Sequence, residues 1–180
     1  MTPIDLSKYP WPLAAMWRAE RLPTLGPGEP NRDAHDVLAS FRVEDLFPTV
    51  RDRDAARACL SGVWLFHDFL DESHTISQDL PAWYGSYWHG IMHRREPDPD
   101  NAKYWFRRVP ANPVYEALAT DAAELGLPVT GAWDPFAFVD RCERERGTGS
   151  DGELVCRRVQ LREMHLLFDW CHGRAIGERS

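Results

Sequence analysis

The chain has 180 residues, 43% of them hydrophobic and 27% charged, a balance that fits one globular domain burying roughly 70% of its unfolded surface. A net charge of −7 excludes the basic face that non-specific nucleic-acid binding requires. No apolar run reaches the ~18 residues of a membrane span, and the opening MTPIDLSKYPWP lacks the basic and apolar regions of a signal peptide, so a cytoplasmic location is expected.

Residues 1–33 carry six prolines, at 3, 10, 12, 23, 27 and 30, which predict an extended arm with one short helix near Leu13–Arg21. Trp11 and Trp17 predict that this arm packs on the body formed by residues 34–180. A short helix is expected over Ala34–Phe41. From Asp52 to His74 apolar residues recur at helical spacing, with Asp52 or Asp54 as the cap. A loop containing Pro81 and Gly85 follows, and Ser86 is expected to start a second helix that ends at Glu96 before Pro97 and Pro99.

Asp100 or Asn101 opens a third helix through Arg108. Pro113 and Pro135 begin two more, the first to residue 125 and the second to about Arg146. After the flexible stretch GTGSDG a last helix is expected over Glu153–His172. With little β alternation anywhere, the reading is all-α: one compact multi-helix domain built on a central antiparallel hairpin. The four cysteines, Cys59, Cys142, Cys156 and Cys171, form no CxxC pair and read as buried thiols.

Chemistry concentrates between Leu65 and Arg108. Three helices place polar residues at i, i+4 and i+7, which is one helix face. The first set is His67, Asp71 and His74; the second is His89, His93 and Glu96; the third is His165, Asp169 and His172. In an antiparallel hairpin the first two sets face each other, with His74 near His89 and His67 near Glu96. His67, Asp71, His74, His89 and His93 would then ligate a divalent metal such as zinc, manganese or iron. His74, His89, His93 and Glu96 are the candidates for acid–base work. The competing reading makes these histidines satisfied core residues, and the third set a solvated face. No HExxH, GxSxG, Walker or GxGxxG pattern is present.

Trp88, Arg94, Arg95, Tyr104 and Arg108 are candidates for holding an anionic ligand, guanidinium on carboxylate or phosphate and ring on ring. Internal ion pairs to Asp71, Glu72 and Glu96 are the alternative for the arginines. The cluster Trp83, Tyr84, Tyr87, Trp88 reads either as a pocket wall or as the cover of the core.

Residues 90–113 resemble a tetratricopeptide or Sel1-type helical hairpin. Gly90 stands at the small position of its first helix and Asp98 in its turn. Ala102, Phe106 and Val109 stand in its second helix, with Pro113 near its end. The resemblance covers about 30 residues without a second copy and implies a hairpin geometry, Phe106 filling the groove that Gly90 and Ala102 leave. The block YWHGIMHRRE…NAKYWFRR is also similar to one found in a bacterial and fungal family, a likeness that implies no particular activity. Two functions follow as expectations. One is a small-ligand or divalent-metal site on the central helix pair, possessing hydrolytic chemistry. The other is a non-catalytic interaction module of the helical-repeat kind, with structural histidines and a protein partner.

Overall fold

The computed structural model describes residues 4–18 and 21–178. Parts of the expected arm (1–3, 19 and 20) and of the C-terminus (179 and 180) lie outside those residues. The described chain begins with a 3-10 turn, Leu6–Lys8, followed by α1 (Trp11–Trp17), α2 (Arg32–Ser40) and α3 (Val43–Leu46). The middle of the fold is α4 (Arg53–Phe66), α5 (Leu70–Ser77), α6 (Trp83–Arg95) and α7 (Pro99–Phe106). The rest is α8 (Pro113–Glu124), α9 (Pro135–Glu145) and α10 (Asp151–Ile176), with no strand among the described residues. The all-α reading holds.

The helix starts follow local chemistry. Asp98, Asn112 and Asp134 each accept a backbone N–H of the first turn, and each is followed by proline at the first helical position. That proline has no N–H to leave unbonded and a φ already set for the helix. Asp52 and Ser150 cap α4 and α10 in the same way. The second central helix starts earlier than expected, at Trp83, because Gly85 N–H closes a turn on the Ala82 carbonyl. Ser86 is therefore an interior residue.

Helix α6 is the axis of the fold, buried at every residue from Tyr84 to Arg95. Three glycines let its neighbours approach. A Cβ on Gly62 of α4 would stand 2.5 Å from the Trp88 ring, and one on Gly85 only 2.3 Å from Cβ of Leu80 in the α5–α6 loop. On the third side Phe106 of α7 lies on Gly90, where a Cβ would come to 3.0 Å. Ala102 is fully buried in the same seam. Trp88, Tyr84 and Tyr87 thus belong to the core, and Trp83 lies on Trp170 with centroids 4.6 Å apart. Trp88 cannot act as the ligand-facing ring expected of it: its ring fills the space over Gly62 and is fully buried.

One predicted helix is two. The segment Asp52–His74 breaks at His67, Asp68 and Phe69, where Asp68 adopts φ +66°, a left-handed conformation that Asp tolerates better than most residues. The reason is tertiary. The Asp68 carboxylate is gripped by Arg21 and Arg95. Arg95 also donates to the Leu65 carbonyl at 2.7 Å, and to the arm carbonyls of Gly26 and Pro27 at 3.2 Å each. After the break α5 folds back along α4, and Ser61 Oγ meets Ser73 Oγ at 2.9 Å.

Tyr9, Leu13, Ala14, Trp17 and Leu25, all ahead of α2, are buried, whereas Trp11 remains 74% exposed. Tyr9 and Trp17 cover His165 and His172 of α10 and leave Asp169 partly exposed, which corrects the expectation of a solvated face for the two histidines. Trp17 packs edge-on against His165 at 5.1 Å, Tyr9 against His172 at 4.8 Å, and the Tyr9 hydroxyl donates to Asp169 at 2.9 Å.

Candidate metal centre

The loop 78–82 is short, and its Leu80 lies tight against Gly85, so α5 and α6 run antiparallel with His74 facing His89. His93 follows one turn along α6. One ring nitrogen from each of His74, His89 and His93 lies within 4.8 Å of the other two. The ring centroids are 4.5 Å apart for His74–His89, 4.7 Å for His89–His93 and 5.6 Å for His74–His93. A tetrahedral zinc with Zn–N near 2.0–2.1 Å needs its nitrogens roughly 3.4 Å apart.

Hydrogen bonding bears on the tautomers. Ser77 Oγ lies 2.9 Å from His89 Nδ1 and 3.3 Å from the His74 carbonyl. When its single hydrogen goes to that carbonyl, it accepts from His89 Nδ1–H and Nε2 of His89 keeps a bare lone pair. Glu96 acts likewise on His93. Its carboxylate Oε2 is 2.9 Å from His93 Nδ1 and only accepts, so Nε2 of His93 is also the unprotonated nitrogen. Neither Nε2 has a hydrogen bond among the described residues. An imidazole whose far nitrogen is fixed by a carboxylate or hydroxyl is the usual outer support of a metal-bound histidine.

Electrostatics act in the same direction. Burial, then the charges of His93, His74 and Arg108, push His89 down to about 3. Burial lowers His93 as well, against the opposing pull of Glu96. These rings are neutral near pH 7, the form a metal requires.

The other expected ligands are elsewhere. His67 is buried with both ring nitrogens engaged, Nδ1 with Asn31 at 2.9 Å and Nε2 with the Met16 carbonyl at 3.1 Å. It is a structural histidine joining α4 to the arm. Asp71 is exposed on the outer face of α5 and does not join the histidine cluster. Both displacements follow from the break at Asp68, which destroys the i, i+4, i+7 face. His67 accordingly does not meet Glu96. A second group, His93, Glu96 and Asp98, also falls within 4.8 Å. There, however, Asp98 is committed to capping α7 through Asn101.

The anion-holding set divides too. Arg94 is buried against Glu163, and Arg95 is buried in the Asp68 cluster, so neither can reach a ligand. Tyr104 and Arg108 sit at the surface beside the site. Trp105, the aromatic neighbour of Tyr104 that the sequence also placed beside these arginines, lies on His89 with centroids 4.1 Å apart.

No family model, curated protein or solved structure matches the chain.

Proposed function

We propose that the chain binds one divalent transition-metal ion on His74, His89 and His93 and uses the ion's open side for hydrolytic chemistry on a small substrate. The observation that carries this reading is the pair of oriented imidazoles. Glu96 accepts from Nδ1–H of a neutral His93, Ser77 Oγ lies against Nδ1 of His89, and one ring nitrogen of each comes within 4.8 Å of one from a third histidine, His74. Three imidazoles with a vacant fourth position suit zinc. Manganese prefers oxygen donors, and the common iron site takes two histidines and a carboxylate. A bound zinc supplies Lewis acidity. The chain's own residues hold the imidazoles neutral, shield them with the Trp105 ring, and leave His74 on the accessible side.

Elemental analysis of untagged protein purified without chelator tests the reading. About one zinc per chain is expected, lost in His89→Ala and retained in Asp71→Ala. Protein that holds no metal, and whose Tm does not rise with added zinc, manganese or iron, returns the histidines to a structural role. The interaction-module reading would then lead.

A further inference from the structure

We propose that the substrate of this site presents a small oxyanion, a carboxylate or phosphate group, which enters the open side of the cluster and is held from outside by the Arg108 guanidinium. This deepens the metal reading above and rests on it.

Four arginines lie near the site in sequence, and their contacts separate them. Arg94 and Arg95 are consumed by Glu163 and Asp68. Arg107 lies over Phe136 of α9, 5.6 Å from the ring centroid. Arg108 stands over Trp105 at 4.6 Å and over Tyr104 at 4.8 Å, and it donates to the Tyr104 hydroxyl at 2.6 Å. Among the described residues it has no carboxylate partner.

The result is a guanidinium immobilised by two rings while its charge stays unneutralised. The Trp105 ring is shared between this guanidinium and the cluster, since the same ring lies against His89. An arginine positioned in this way meets an oxyanion with parallel N–H donors and with little ordering left to lose on binding. Tyr104 is 46% exposed, so the approach to this guanidinium is from solvent.

Cobalt(II)-loaded protein provides the test, because its visible bands respond to a change in the metal's own ligands. Inorganic phosphate and acetate are titrated separately, and the more effective one identifies the oxyanion class. At least one should alter the bands saturably. Arg108→Gln should weaken that anion by about 10-fold or more. Cobalt stoichiometry and the anion-free spectrum should not change, and Arg107→Gln should leave anion affinity as in the wild type. A stoichiometric cobalt site that responds to neither anion overturns this proposal alone. So does an Arg108→Gln variant that binds the anion as tightly as the wild type. Failure to bind cobalt overturns the metal reading and this one together, and is seen before any anion is added.

Discussion

Two helix faces of this molecule carry paired histidines, seven residues apart on α10 and four apart on α6, and have opposite environments. On α10, His165 and His172 point into aromatic rings of the arm, and one nitrogen of each, Nδ1 of His165 and Nε2 of His172, is buried without a partner. At the α5–α6 junction, Nδ1 of His89 and of His93 each lies 2.9 Å from a side-chain oxygen, and one ring nitrogen of each comes within 4.8 Å of one from His74. Spacing along one helix is therefore not what makes a site. A second helix must bring ring nitrogens together, and an acceptor behind each ring must set its tautomer.

The sharpest way to break this contrast is to delete one ring from each face. His93→Ala should remove metal binding by more than the roughly 10–100-fold that the loss of an outer support costs. Apo stability should change less than metal binding, because the Glu96 carboxylate bonded to His93 is half exposed and stays solvated when the ring is removed. His165→Ala should leave metal stoichiometry unchanged and lower stability by about 1–3 kcal/mol through lost packing on Trp17. Metal titration and thermal melts of both variants check this. If the two effects are interchanged, α10 carries the site and the junction is only core.

Much of the fold was legible because helix starts are local. Asn112 and Asp134, each followed by proline, mark their helices without reference to the rest of the chain; Asp98 and Pro99 do the same for α7, two residues before the start expected at Asp100 or Asn101. The pairing of His74 with His89 was legible for a similar reason, since a loop as short as 78–82 leaves α5 and α6 only an antiparallel arrangement. The break at Asp68 was not. LFHDFL contains no glycine or proline, and its cause, a carboxylate shared by Arg21 and Arg95, comes from residues 47 and 27 positions away. Adjacent Arg94 and Arg95 misled in the same way. They leave α6 in different directions and find separate buried carboxylates, Glu163 and Asp68, that no spacing rule connects to them. Cover by the arm, in turn, converted the His165 face from surface to core.

Acid sharpens the comparison at the next level of effect. Burial, and after it the charge of Arg162, push His165 down to about 4, against about 6.5 for an unfolded histidine. The fold thus favours the neutral ring. Its contribution is complete above pH 6.5 and is lost progressively as pH falls from 6.5 toward 4, amounting to about 2 kcal/mol at pH 5. His165→Phe, which keeps a ring against Trp17 and cannot take a proton, should flatten the decline in Tm between pH 7.5 and pH 5. An unchanged slope would mean that His165 already finds a proton acceptor in the folded state.

The smallest effect separates the two outer supports. Ser77 is fully buried, while the Glu96 side chain is 52% exposed. Removing the Ser77 hydroxyl takes away the hydrogen-bond partner of His89 Nδ1 at a position buried from water. The ring is then no longer held to the tautomer with a bare Nε2. In Glu96→Ala, water can take the place of the carboxylate at His93. Ser77→Ala should therefore weaken zinc toward the upper end of the roughly 10–100-fold range for such residues, and Glu96→Ala toward the lower end. Competition against a chromophoric chelator at fixed pH gives both affinities. The reverse order would mean that the charge of Glu96, acting through His93, matters more to the metal than the tautomer of His89. Equal affinities in all three proteins would remove the hydrogen-bond argument for the site while leaving the three imidazoles in place.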